Sequence, residues 1–342
     1  MIDPADRMKV RPAGSFFVWE DIALKILFMG TPDFSVPVLR ALLGAGHEIT
    51  AVVTQPDREK GRGKAVQMSP VKEEALRCGI PVLQPERVRR PEAVEELKRY
   101  PSDLGVVVAF GQILPQEVLD LPRLGCVNVH ASLLPLYRGA SPIQQALLDG
   151  RTETGVTIMR MDAGLDTGDI LLQRSIPIAP GETGGSLHDK LSELGAALIV
   201  PAVLGLSLGM LEGRAQEGET CYAGMIRKEA GEIDWSQPAE AIERKIRALS
   251  PWPSAYTVRS GKLLKIWKAE TVREKAPRAL PGTVTQADRE SFTVCCGEGS
   301  LRVLSVQPEG RKRMETDAYL RGTPLEPGEV LGRLPEEGEN AR

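Results

Sequence analysis

Between residues 25 and 129 short apolar runs alternate with runs of helical character, and this alternation constrains the fold more than any other feature of the chain. Residues 25–29 form an apolar strand that breaks at Gly30. Thr31, Pro32, Asp33 and Ser35 then supply capping chemistry ahead of a helix at 36–45. A strand at 48–54, helices near 70–77 and 91–99, a strand at 103–110, a helix near 115–121 and a strand at 125–129 complete the series. Parallel neighbours need a crossover, usually a helix, so the pattern predicts an α/β fold on a doubly wound, mostly parallel sheet. Sheets of this kind bind ligands at the carboxyl ends of their strands. Neither G-x-G-x-x-G nor G-x-x-x-x-G-K-[ST] follows a strand, and Gly61-Arg62-Gly63-Lys64 sits in a loop, so no dinucleotide or P-loop site is indicated.

A chain of 342 residues is long for one domain, and two are expected. After the alternating region come a helix at 141–149, with Ser141 as N-cap and Pro142 in its first turn, and strands at 155–161 and 170–176. A helix follows from 187 to about 200, capped by Thr183 and Ser186. Residues 194–211 carry no charge over eighteen positions, which touches the threshold for a membrane span. Pro201, Gly195, Gly205 and Gly209 argue instead for a buried helix and its exit into a linker, and the following residues have linker composition. A helix at 238–249 then precedes short runs at 255–259, 263–267, 282–285, 292–296 and 301–306, bounded by Gly and Pro, which suggests a small barrel. The expected division is an N-terminal extension at 1–23, taken as disordered, a first domain at 24–208, a linker at 209–228, a C-terminal domain at 229–333 and a tail at 334–342.

The stretch from Gly125 to Asp169 concentrates the polar residues that such a fold would display at a site. Asn128 and His130 are two apart at the end of a strand and so point the same way. The loop Asp162–Asp169 could bring a carboxylate back toward His130. Taken singly, Asn128 reads equally well as a turn former, His130 as a satisfied histidine and Asp166 as a loop cap. Together, an imidazole, a carboxamide and a carboxylate make a constellation for acid–base chemistry with oxyanion stabilisation. The N-x-H followed by SLLPLYRG at 132–139, and GLDTGD at 164–169, resemble the folate-dependent formyltransferases. The resemblance implies catalytic roles for Asn128, His130 and Asp166: the first two, with His130 protonated, would stabilise an oxyanion, and Asp166 would hold the imidazole and organise proton transfer. It implies 10-formyltetrahydrofolate as co-substrate, no metal, and a Rossmann-like formyltransferase domain followed by an OB-like β-barrel. It also places FGQILP at 110–115 beside a folate pocket, with Phe110, Gly111, Ile113, Leu133, Leu134 and Pro135 as its residues.

The net charge of -3 and pI of about 5.9 give no general attraction for nucleic acid, so any such contact must be local. Two places qualify. The loop QPDREKGRGKAVQMS at 55–69 is long for a connection; its composition alone fits a solvated loop as well as a functional one. It resembles the insertion that members acting on methionyl-tRNA use against initiator tRNA, which implies Arg58, Arg62 and Lys64 as contacts. Between 229 and 321 there are sixteen Lys and Arg against thirteen Asp and Glu, densest at Arg311-Lys312-Arg313, an excess that a plain surface would explain about as well. Arg311 and Lys312 are the candidates there. The resemblance implies transfer of a formyl group to the α-amine of methionyl initiator tRNA by a monomeric, cytoplasmic enzyme that engages no membrane. The alternatives are formylation of a small-molecule amine, hydrolysis of the formyl donor, and a non-enzymatic RNA-binding protein on the same fold. Five cysteines without C-x-x-C spacing indicate neither a disulfide framework nor a zinc ribbon and fit a reducing compartment. His47 and His188 read as structural.

Overall fold

The computed structural model describes residues 23–60, 65–272 and 279–332; the expectations for the N-terminal extension and the tail fall outside them. In chain order the elements are β1 (Lys25–Gly30), α1 (Val36–Gly44), β2 (Glu48–Val53), β3 (Arg58–Lys60), β4 (Ala65–Gln67), α2 (Pro70–Arg77), β5 (Val82–Leu83), α3 (Pro91–Leu97), β6 (Leu104–Val108), α4 (Gln116–Leu119) and β7 (Cys126–His130). Then follow β8 (Arg138–Gly139), α5 (Pro142–Leu148), β9 (Glu153–Arg160), β10 (Ile170–Pro177), α6 (Gly184–Ser207) and β11 (Tyr222–Ala223). The last elements are α7 (Ala239–Ala248), β12 (Ala255–Arg259), β13 (Lys262–Val272), β14 (Val284–Ala287), β15 (Phe292–Cys295), β16 (Ser300–Pro308), β17 (Met314–Glu315) and α8 (Thr316–Gly322).

Seven strands form one mixed sheet in the order β10-β9-β7-β6-β1-β2-β5. β1 pairs in parallel with β2 and β6, β2 with β5, and β6 with β7, whereas β9 and β10 are antiparallel. Successive side chains of a strand point to opposite faces, and Ile26, Leu27, Phe28 and Met29 are all buried, so the sheet is covered on both faces at β1. Gly105 on β6 leaves room for the Cys126 side chain of β7: a Cβ there would lie 2.4 Å from Cys126 Sγ. Packing divides the described chain into two units, one of residues 23–128 with 196–213 and one of residues 129–195 with 214–332.

In the first unit Ser69 caps α2, its Oγ accepting from Lys72 N at 3.1 Å with Pro70 at the first position. Glu74 on α2 is buried and accepts paired hydrogen bonds from Arg40 and Arg77, which hold its carboxyl down at about 2. Ser35 looks like a cap in sequence, but its hydroxyl donates to the carbonyl of Val108 at 2.7 Å. His47 is structural: it is buried, its Nδ1 accepts from Leu24 N, and burial lowers its pKa.

In the second unit the C-terminal part is a six-stranded antiparallel sheet, β12-β13-β16-β15-β14 with β17 on β16, and among the described residues these pairings run as an open series. Its core includes Ile242 and Ile246, one helical turn apart on α7, with Phe292, Leu301 and Val303. Trp235 is buried with its indole N–H donated to Thr257 Oγ1 at 3.0 Å, as a buried donor requires. Cys295 and Cys296 are both buried, which fits their reading as strand filling.

One sequence expectation needs correction. The helix expected to end near 200 runs to Ser207 through Pro201, and it is the one helix among the described residues that is long and apolar enough to cross a membrane. Leu187, Leu191, Ile199, Ala202, Val203 and Leu206 on it are buried, and that burial outweighs the roughly 3 kcal/mol cost of an internal proline. The residues of linker composition after it are also structured. Arg214 and Ile170 exchange backbone hydrogen bonds at 2.8 and 2.9 Å, and β11 pairs in parallel with β8.

Candidate active site

β7 ends at His130, which is 6% exposed. Its Nε2 lies 2.9 Å from the carbonyl oxygen of Tyr137, an acceptor only, so that nitrogen carries a proton. Its Nδ1 faces Asp166 Oδ2 at 3.7 Å, within ion-pair reach but beyond a hydrogen bond. The ring thus has an oxygen on the side of each nitrogen. The same Asp166 oxygen accepts from Gly139 N at 2.8 Å.

Three left-handed residues build this cluster: Tyr137 at φ 59°, Gly139 at φ 109° and Asp166 at φ 52°. For the two that are not glycine this conformation costs roughly 1–2 kcal/mol each. Gly139 is required for a second reason, since a Cβ would lie 2.7 Å from the carbonyl oxygen of Ala223. Tyr137 is buried, with its hydroxyl bonded to Asp149 and Arg151. The loop carrying Asp166 is tied internally, Thr167 Oγ1 donating to both Asp162 carboxylate oxygens at 2.8 and 2.9 Å. The 132–136 loop is held by Thr157, whose Oγ1 donates to Ser132 O at 2.6 Å and accepts from Leu134 N at 3.1 Å.

The other expected site residues fall as follows. Asn128 is half-buried on β7, where Val107 is its pairing partner on β6. Phe110 is buried, and its carbonyl accepts from Thr31 Oγ1 at 3.0 Å and Gln55 Nε2 at 3.2 Å. Ala109 at φ 45° and Gly111 at φ 81° turn the chain there, and Gln112 fixes the turn through Val88 N and Pro85 O. Ile113 beside that turn is 85% exposed. Leu133 and Pro135 are half-buried, and Leu134 packs in a small core with Met159 and Ile170.

Arg58 is exposed at the start of the β3–β4 hairpin, while Arg62 and Lys64 lie outside the described residues. The base of that hairpin is fixed by Lys72, whose Nζ meets Asp57 Oδ2 at 2.5 Å and Gln84 Oε1 at 2.7 Å. The hydrogen bond from Lys72 is the chief cause that holds the Asp57 carboxyl below its ordinary value. Arg311 and Lys312 are exposed after β16, and the neighbouring Arg313 guanidinium lies over the Trp267 ring at 5.3 Å. Among the described residues no three His, Cys, Asp or Glu side chains are grouped to hold a metal ion.

Sequence reasoning missed Tyr137, Gly139 and Gln216 as parts of this cluster. Gln216 Nε2 donates to the carbonyls of Asp166 and Gly168, both at 2.8 Å. Gly139 closes the SLLPLYRG motif, so its signal was present; Gln216 had none.

The formyl transferase family model matches residues 24–203, and the model of the family's C-terminal domain matches 225–324. The chain belongs to the formyl transferase family. The chain is 50% identical over 314 residues to the methionyl-tRNA formyltransferase of Lachnospira eligens, covering 90% of this chain and 100% of that one. The methionyl-tRNA formyltransferase of Geobacter sulfurreducens is 51% identical over 310 residues, 90% of this chain and 97% of its own length. Among solved structures, HypX from Aquifex aeolicus in complex with tetrahydrofolic acid superposes with a TM-score of 0.60 at 18% identity. That match covers 91% of this chain, which spans about half of HypX, 51%. An N-formyltransferase from Helicobacter canadensis, bound to folinic acid and dTDP-3-aminofucose, gives a TM-score of 0.62 at 20% identity over 83% of this chain and 99% of its own. Family membership makes the chain a formyltransferase enzyme that uses a formyl-folate donor.

Proposed function

We propose that this enzyme transfers the formyl group of 10-formyltetrahydrofolate to the α-amine of methionine on initiator tRNA, for translation initiation. One observation carries the choice of acceptor: relatives about half identical along nearly their whole length are methionyl-tRNA formyltransferases. The folate supplies the formyl carbon; everything else is the work of side chains. In this reading Asn128 donates to the formyl oxygen as charge builds on it. His130, between Tyr137 O and Asp166, contributes positive charge, and Asp166 fixes the ring and takes part in moving the amine proton through water. The turn at Phe110, Gly111 and Ile113 with Leu133, Leu134 and Pro135 would receive the pterin. Arg58 on the hairpin, Arg62 and Lys64 of the same 55–69 stretch of sequence, and Arg311 and Lys312 after β16 would meet tRNA phosphates or bases.

The same reading divides the chain into a doubly wound catalytic domain at 24–208, a connecting segment at 209–228 and an OB-like barrel domain at 229–333, working as a monomer in the cytoplasm. A direct test offers 10-formyltetrahydrofolate together with methionyl-tRNA and a sugar-nucleotide amine and follows product by mass. Formylmethionyl-tRNA alone is the expected product. A formylated sugar, or hydrolysed donor with neither acceptor formylated, would overturn the reading.

A further inference from the structure

We propose that Gln216 is a positioning residue for Asp166, an inference that rests on the catalytic reading of Asp166 given above. Its carboxamide joins the two segments whose meeting sets that carboxylate. Nε2 donates to Asp166 O and Gly168 O, both at 2.8 Å, and so pins the chain on either side of Thr167. Oε1 accepts from Arg138 Nε at 3.1 Å and Nη2 at 2.7 Å. The next residue along, Gly139, donates the backbone N–H that reaches Asp166 Oδ2 at 2.8 Å. A single side chain therefore grips both the loop that carries the carboxylate and the strand that supplies its hydrogen bond.

The orientation of the amide is unambiguous, because the carbonyls can only accept and the guanidinium can only donate; both amide hydrogens and the oxygen are used. The grip has something to oppose. Asp166 sits at φ 52°, a strained conformation for a residue with a Cβ, and relaxation of it would swing the carboxylate away from His130 Nδ1, now 3.7 Å distant. The segment that carries Gln216 is itself anchored, Arg214 through the Ile170 backbone, Thr220 Oγ1 to Pro135 O at 2.9 Å, and β11 along β8. It is thus a strap over the site loops, with Gln216 bonded to the backbone carbonyl of Asp166 itself.

The test is a double-mutant cycle in the full-length enzyme, with single-turnover formyl transfer to methionyl-tRNA as readout. Gln216→Ala is expected to lower kcat about tenfold to a hundredfold, the scale of a misplacement near 1 Å, with KM for donor and acceptor within about twofold. Gln216→Glu keeps a partner for Arg138 but sets a carboxylate against two carbonyl oxygens, and is expected to lose at least as much. In an Asp166→Ala background, Gln216→Ala should cost nothing further, and the pH–rate profiles of Gln216→Ala and Asp166→Ala should shift in the same direction. Losses that multiply in the double variant, or an unchanged profile, would overturn the positioning role. Near-normal kcat for Gln216→Ala and Gln216→Glu beside a slow Asp166→Ala would overturn it while sparing the catalytic reading. A fully active Asp166→Ala would instead remove that reading, and the proposal with it. Gln216 is only half-buried, and thermal midpoints of the variants show whether any loss is of fold.

Discussion

Two glutamines hold two loops in this molecule, and they do so by different physics. At the hairpin base Gln84 Nε2 donates to Asp57 Oδ1 at 2.7 Å and Gln55 O at 2.9 Å, while its oxygen accepts from Lys72. At the cluster around His130, Gln216 donates to two backbone carbonyls and accepts from Arg138. The first arrangement is closed around an ion pair, Lys72 with Asp57, whose side chains are 15% and 23% exposed. Its charges cancel at the base, and the exposed Arg58 beyond it presents charge outward. The second pins the chain on either side of Thr167, where Asp166 Oδ2 accepts from Gly139 N and lies 3.7 Å from His130 Nδ1. One loop is organised to offer charge to a partner, the other to keep one charge in place.

The largest effects should fall at the second loop and on β7. Asp166→Ala and Asn128→Ala are each expected to reduce kcat by on the order of 10²–10³, as loss of a donor or its support does in such sites; near-normal turnover in either would remove that residue from the chemistry. At the first loop, Arg62→Ala with Lys64→Ala should raise KM for methionyl-tRNA and flatten its dependence on salt, by roughly one unit of log slope per lost phosphate contact. An unchanged slope would make the hairpin plain surface. Lys72→Met should raise the same KM only about threefold to tenfold, the net size of an ordinary hydrogen bond, and leave kcat alone. Because the Asp57 carboxyl is held below its ordinary 3.8, it stays ionised above that pH, and its contribution should be flat from about pH 6 to 8. A fall in kcat would contradict the separation of the two loops.

The smallest effect is on stability alone. Glu74 on α2, beside Lys72, has its carboxyl lowered from 4.5 to about 2, so its stabilisation is present above about 4.5 and lost as pH falls toward 2. Arg40 and Arg77 are more than half exposed, which screens the pair, and Glu74→Gln should cost about 1–2 kcal/mol at pH 7 and almost nothing near pH 2. Melting curves at the two pH values check it, with activity below the melt expected to be unaltered.

The strands and helices of the first unit were legible because local patterns determine them: alternating apolar runs gave β1, β2, β6 and β7, and Ser69-Pro70 gave the start of α2. A motif singled out Asn128, His130 and Asp166, and of these His130 and Asp166 do come together. What could not be read depends on partners distant in sequence. Ser141 looks like a helix cap, yet its hydroxyl accepts from Ile226 N at 3.4 Å, and the helix takes no cap from it. Pro201 looks like a stop, and only the buried stripe beyond it says otherwise. Gln216 sits among glycine and glutamate in a run of linker composition, and its partners are about 50 and 78 residues away. No periodicity marks such a contact.

The central claim is the acceptor, and the most direct measurement of it is single-turnover formyl transfer from 10-formyltetrahydrofolate to methionine-charged initiator tRNA, with methionine-charged elongator tRNA as control. The account predicts rapid transfer to the initiator and little to the elongator. Turnover of the donor with neither tRNA formylated would contradict it.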